Sequence, residues 1–346
     1  MKYFLSIFLF ALPIFATADT KLKVGVVAPL SGPAASAGEA IRNSITLASK
    51  NLDPTKKVNF IFEDDQMLPK NTVTAVNKLI LSDQVHALIV FGTPTAAAVN
   101  SIAEQQQIPM IALSILDTIV NDKKFVVKHW VRAETENQLV VGTVRKRNYQ
   151  RVAVVSTVND AMLKLKDLFQ TALPEIVVAN EELNKDDMDF KTVIARLQAS
   201  KPDAVYVLLW PPQPGLFVRQ LREAGYKGEV FGAHNLEDLR EVSSSNNTLV
   251  GSWFVTGNDK NAKDFYASYQ KTYGDLPAAG GVNAYDVAYM LIRGSSAENL
   301  NHYLHNINNF TGLYGSYTSS GVNDFTIPAA IKVIKSNGFE LQAELP

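Results

Sequence analysis

Residues 87–114 read ALIVFGTPTAAAVNSIAEQQQIPMIALS, and their pattern decides the fold. Ala87-Leu-Ile-Val-Phe91 is a short apolar run rich in strand formers, as expected of a strand covered on both faces. Gly92-Thr93-Pro94-Thr95 interrupts it. Thr93 suits a helix N-cap and Pro94 the first helical position, so a helix is predicted up to residue 106. Pro109-Met-Ile-Ala-Leu113 then predicts another strand. Strand, helix and strand at this spacing form a βαβ unit with a parallel sheet.

The same alternation extends in both directions. Lys23-Val-Gly-Val-Val-Ala28 and Val58-Asn-Phe-Ile-Phe62 read as strands, with helices predicted near 38–50 and 70–82. The pattern restarts with strands at Arg151-Val-Ala-Val-Val155, Ile176-Val-Val-Ala179, Ala204-Val-Tyr-Val-Leu-Leu209 and Glu229-Val-Phe231. Helices near 159–172, 190–199 and 214–224 separate them. Two doubly wound parallel-sheet units in succession predict an α/β protein of two lobes. Amphipathic helices at 262–273 and 282–293 follow without strands of their own to cover, and are expected to return to the first lobe.

The first residues set the compartment. Met1-Lys2 is basic, residues 3–15 are almost wholly apolar, and Ala16-Thr17-Ala18 supplies small residues. This is the order of a cleavable secretory signal, predicted over 1–18 with Asp19 left first. The apolar run is shorter than the roughly 20 residues that span a bilayer. There is no cysteine, which excludes thiol catalysis, thiolate metal sites and a lipid-anchored start, and leaves the core to stabilise the fold. A formal net charge of −1 with scattered Lys and Arg offers no basic stripe for nucleic acid. No internal repeat points to a solenoid or propeller.

Ligands of open α/β sheets bind at the carboxyl ends of the strands. Pro29-Leu-Ser-Gly-Pro-Ala-Ala-Ser-Ala-Gly38 follows the first strand, with Ser31 as its candidate and Ser36-x-x-Glu39 as an expected capping box. The loop lacks both G-x-G-x-x-G and the Walker pattern, so no nucleotide cofactor is expected. Thr93 has two readings, as a cap for its own helix or as a hydroxyl beside a helix N-terminus that favours a carboxylate. Ser114 in Ser114-Ile-Leu-Asp117 faces the same region, with Asp117 expected as a helix cap. Trp210 follows a strand, either covering an apolar ligand or packing under its loop. His234 is a cleft candidate or a plain surface histidine. No catalytic elbow or H-E-x-x-H is present. His302 and His305 read as a solvated helix face, Glu63-Asp64-Asp65 as loop structure, and Asp189 as an N-cap. No metal site and no enzyme chemistry are expected.

The chain resembles the periplasmic leucine/isoleucine/valine-binding proteins, the type I solute-binding proteins of ABC importers. The resemblance rests on Val24-Gly-Val-Val-Ala-Pro-Leu-Ser-Gly-Pro33, Asp64-Asp65 with Pro69-Lys70, Ala75-Val-Asn-Lys-Leu79 and Gly92-Thr93 with Ile108-Pro109. Further on, Asp189-Phe190, Pro202-Asp-Ala-Val205, Arg219-Gln220, Ala224-Gly225 and Ala284-Tyr-Asp286 follow in family order. It implies lobes made of 19–131 with 257–317 and of 132–256 with 318–346. Three hinge crossings near Arg132, Val255 and Tyr317 would join them. It also implies a monomer in the periplasm that closes over a small carboxylate-bearing ligand and delivers it to an inner-membrane ABC permease. A sensor of the same fold, signalling to a regulator or receptor, is the alternative.

By the same resemblance, Thr93 and backbone N–H groups near Ser114 hold the ligand carboxylate. Leu116 and His234 stand where amino-acid binders place a threonine and an acidic residue for the ligand ammonium. Ala37 and Ala161 replace tyrosines, and Trp210 keeps an aromatic. A buried ammonium without an acceptor is costly, so the expected ligand is an organic acid with an apolar body.

Overall fold

A computed structural model describes residues 21–342. The predicted leader, 1–18, lies outside them. The first sheet is parallel throughout, in the order β2-β1-β3-β4-β5. Its strands are β1 (Leu22–Ala28), β2 (Val58–Asp64), β3 (Ala87–Phe91), β4 (Met110–Leu113) and β5 (Val126–Lys128). Helices α1 (Ala35–Leu52), α2 (Pro69–Leu81) and α3 (Thr93–Gln106) connect the first four. Alternation along the strands covers both faces: Val24, Val26, Ile89 and Phe91 meet Ile41 and Ile45 of α1. Val27, Leu88 and Val90 meet Val76 of α2 and Val99 of α3.

The second lobe repeats the design with α4 (Ala133–Lys146), β6 (Val152–Thr157), α5 (Asp160–Ala172), β7 (Val177–Leu183) and α6 (Lys191–Ala199). It continues through β8 (Ala204–Leu208), α7 (Gln213–Glu223), β9 (Glu229–Gly232), α8 (Leu239–Ser244) and β10 (Trp253–Gly257). The strand order β7-β6-β8-β9-β10 matches that of the first sheet. An aromatic ladder crosses three of its strands: Phe231 stacks on Tyr206 at 4.7 Å and on Trp253 at 4.6 Å. Each such pair adds about 0.5–1.5 kcal/mol beyond its buried area.

Helices α9 (Lys263–Tyr273) and α10 (Gly281–Gly294) pack on α1, while α11 (Leu300–His305) leads to a hairpin of β11 (Phe310–Gly312) and β12 (Gly315–Tyr317). The chain then adds β13 (Ala329–Lys335) and β14 (Gly338–Gln342) to the second sheet, both pairings antiparallel. That sheet is therefore mixed. Val255, expected at a crossing, lies in the middle of β10.

Two charge clusters, built on the buried Lys128 and Lys332, lie where the lobes meet; in the first, Lys128 and Asp324, 3.8 Å apart, make the link. Lys128 reaches the Ile115 carbonyl at 3.2 Å and Asp117 at 2.6 Å, while Arg132 makes a two-pronged bond to Asp324 at 2.6 and 2.7 Å. Burial pushes the Asp324 carboxyl up, but Arg132 and Ser320 outweigh it and hold it low. Asp117 is thus an ion-pair partner and not the expected cap. In the second cluster Lys332 of β13 donates to Glu237 and Asp259, with Thr256 and Tyr266 completing the set. His129 is fully buried against Tyr317 and Asn283, and burial lowers its imidazole to about 3.

Candidate functional site

Both sheets aim their carboxyl ends at a cavity of about 200 Å³ between the lobes. Pockets for drug-sized ligands span roughly 300–1,000 Å³, so this one suits a small molecule. Two of the three tryptophans of the chain, Trp130 just before the chain enters the second lobe and Trp210, line it. Phe91, Leu113, Ile115 and Met67 make the first-lobe wall largely apolar.

The polar part of that wall is local. Gly92 turns the chain from β3 into α3 at φ +96°, where a Cβ would fall 2.6 Å from the Met67 sulfur. Only glycine meets both demands. The turn starts α3 at Thr93, one residue earlier than predicted, with Gly92 and not Thr93 at the N-cap position. The Thr93 hydroxyl is free of capping duty and lies 2.9 Å from the Ser114 hydroxyl at the end of β4. The two groups are 7 % and 3 % exposed and line the cavity together. Beside them lies the N-terminus of a helix of 14 residues, whose first-turn N–H groups have no acceptor within the helix.

The second-lobe wall comes from the ends of β6, β8 and β9. Thr157 accepts from the Trp210 N–H at 2.8 Å and donates to Gln213 at 2.6 Å, fixing the turn that carries Trp210. Asn159 caps α5 through the Met162 N–H, and Ala161 leaves the space open. Asn235 donates to the Val207 and Leu209 carbonyls and accepts from Ala233, tying the loop of His234 to β8. His234 is 3 % exposed and meets the Trp130 ring edge-on at 5.1 Å. Lys185, exposed at the mouth, adds a cation.

The structure therefore brings together Thr93, Ser114, Trp210 and His234. It does not bring in Ser31, whose hydroxyl and N–H bond Asp64 and fix the loop after β1. Leu116 also lies outside the lining, half-buried against the core, with its N–H 3.4 Å from Ser114 Oγ. The expected capping box is not formed either. Ser36 donates to Asp238 and Glu39 pairs with Arg240 at 2.6 Å, both across the lobes. Sequence reasoning missed Trp130, Met67 and Lys185. Trp130 lies two residues past a three-residue strand too short to register as a periodic run. His302 and His305 lie on α11, away from the cavity, and no cluster among the described residues could hold a metal. No helix of the described residues is long and apolar enough to cross a membrane.

Among the described residues, no Asp or Glu lines the cavity. Its polar groups are hydroxyls, N–H donors, the Asn159 amide, whose oxygen is taken by the Met162 N–H, and two basic side chains. Such a lining suits an anion with an apolar body, and gives an ammonium no counter-charge.

Residues 21–320 match the family described as periplasmic binding protein, and the chain belongs to it. The family and fold are those of solute-binding proteins that close about a hinge and are not catalysts. The chain is 24 % identical over 294 residues to the Leu/Ile/Val-binding protein BraC3 of Rhizobium johnstonii, covering 80 % of this chain and 79 % of that one. Among solved structures, the isoleucine complex of a branched-chain amino acid binding protein from Streptococcus pneumoniae superposes with a TM-score of 0.86 at 18 % identity, covering 93 % and 99 % of the two chains. The benzoate complex of an ABC-transporter solute-binding protein from R. palustris gives 0.84 at 20 % identity, covering 93 % and 95 %.

Proposed function

We propose that this protein captures a small organic carboxylate lacking an α-ammonium and hands it to an inner-membrane ABC permease. The observation that carries the reading is the lining: Thr93 and Ser114 hydroxyls beside the start of α3, two tryptophans, two basic side chains and, among the described residues, no acidic one. The carboxylate sits at Thr93 and Ser114, the apolar body lies between Trp130 and Trp210, and His234 faces it from the other lobe. Related proteins of this fold hold isoleucine and benzoate, both carboxylates. The absence of an acidic residue favours the benzoate-like class here. Export is by cleavage after Ala18, giving a periplasmic monomer. The lobes divide as 19–131 with 257–317 and 132–256 with 318–346, a division supported by the return of α10 to α1 and of β13 to β10.

A thermal-shift panel on refolded, ligand-free protein tests this. Aliphatic and aromatic acids are set against leucine, valine and polar amino acids. A true ligand at a hundred times its Kd adds about 2.7 kcal/mol of stability. Shifts confined to acids without an α-amino group are expected. A shift with leucine larger than with its des-amino analogue overturns the proposal.

A further inference from the structure

His234 does not stand alone. Its Nδ1 lies 3.0 and 3.1 Å from the two carboxylate oxygens of Glu136, in the first turns of α4. Both side chains are buried, at 3 % and 1 % exposure, and Glu136 does not reach the cavity. The other ring nitrogen, Nε2, has no partner among the described residues and belongs to a side chain that lines the cavity. The ring is held edge-on by Trp130 and Trp210, at 5.1 and 6.4 Å, so it cannot turn over freely.

The protonation of Nε2 follows from charge balance. A buried carboxylate beside a neutral ring with a bare Nε2 would leave a net negative charge inside the protein, a cost that the first-turn N–H groups of α4 offset only in part. A pair of net charge zero removes that cost and can be written two ways, because a carboxyl proton turned away from Nδ1 finds no acceptor among the described residues. Either the carboxylate is ionised and the ring carries both protons, or the carboxyl keeps a proton and gives it to Nδ1 as a hydrogen bond. Nε2 carries a proton in both. Lys185 is exposed at the mouth, and the neighbouring Tyr206 hydroxyl is buried on β8 without a partner, so neither supplies a counter-charge to the carboxylate.

We infer that Glu136 is a positioning residue that keeps Nε2 of His234 protonated, so the second lobe offers the ligand a hydrogen-bond donor. The ligand then carries a second acceptor oxygen, such as a carbonyl, in addition to the carboxylate held at Thr93 and Ser114. This rests on the carboxylate reading above and narrows it to oxo acids and similar doubly accepting anions.

Two measurements test it. Nitrogen NMR of the imidazoles in the intact mature protein, near neutral pH, should show Nε2 of His234 protonated; a bare Nε2 overturns the inference outright. Titration calorimetry with three acids of one carbon skeleton gives the functional readout: isocaproate, α-ketoisocaproate and leucine. The keto acid should bind about tenfold more tightly than isocaproate, the worth of one hydrogen bond from a charged or polarised donor. Glu136→Gln removes the need for the extra proton and should cut that preference to about threefold or less while isocaproate still binds. A keto acid no tighter than isocaproate refutes the donor but leaves the carboxylate reading standing. Leucine tighter than both refutes the carboxylate reading itself. If Glu136→Gln fails to fold, the imidazole spectrum of the unaltered protein decides alone.

Discussion

Replacing Thr93 with valine keeps the branched shape and exchanges the hydroxyl for a methyl. In the free protein that hydroxyl and Ser114 Oγ satisfy each other at 2.9 Å, both almost sealed from water. Two hydroxyls bring two protons. In the free protein one is spent between them; in the complex each turns to one oxygen of the ligand carboxylate. In Thr93→Val the Ser114 proton turns to the ligand, so one contact survives and the other is lost. A hydrogen bond to a charged group contributes about 1.5–3 kcal/mol, so Kd should weaken by roughly 10- to 150-fold. Thr93→Ser, which keeps the oxygen, should stay within about threefold of the parent. Ser114→Ala should cost a similar amount, and the double variant should cost less than the sum, because the two groups share one proton chain. Titration calorimetry with the strongest acid of the panel reads all four proteins. A Thr93→Val Kd within about threefold of the parent, with an unchanged melting temperature, would show that the carboxylate is held elsewhere and refute the reasoning.

Lys332→Met strands two buried carboxylates, Glu237 and Asp259, without their shared cation. Breaking one side of such a cluster costs about 3–5 kcal/mol, or a fall of about 10 °C in Tm by calorimetry; a fall under about 2 °C would mean the cluster is not the joint described here. Gly92→Ala forces a side chain into φ +96° and onto Met67, and should lower stability by about 1–3 kcal/mol in denaturant melts and weaken binding, because the strained turn carries Thr93 and Met67 lines the cavity. Glu241 supplies a pH test. Burial pushes its carboxyl up to about 7, only partly opposed by the Gly215 N–H. A folded pKa above the unfolded value means the contribution to stability is complete at acid pH and is lost as pH rises through about 7. Between about pH 5 and pH 8 the parent should lose about 2.5 kcal/mol relative to Glu241→Gln. Parallel melts of the two proteins that do not separate with pH would contradict the buried, proton-retaining carboxyl.

Much of the architecture was legible in local pattern. The apolar runs at 23–28, 87–91 and 204–209 are strands because short continuous runs rich in β-branched residues fit a sheet covered on both sides. The predicted helices between them match α1 to α3 and α5 to α7 closely. Short elements were not legible. Val126–Lys128 carries too few residues to show a period, and β13 and β14 follow a hairpin that offered no fixed spacing.

Capping signals misled in a consistent way. Ser36, Glu39 and Asp117 have the side chains that cap helices, yet each finds its partner on a distant segment. A polar side chain near a helix start offers the same chemistry to a backbone N–H as to a far residue, and only the fold sets which is nearer. The site divides along the same line. Strand ends and glycine turns, read residue by residue, located the loops holding Thr93, Ser114, Trp210 and His234. Tertiary structure alone removed Ser31 and Leu116 from the lining, added Trp130, and placed Glu136 behind His234 across 98 residues of chain. Local periodicity reports which face of an element is apolar; the polarity of a cavity depends on pairs far apart in sequence, which only the closed fold brings within hydrogen-bonding distance.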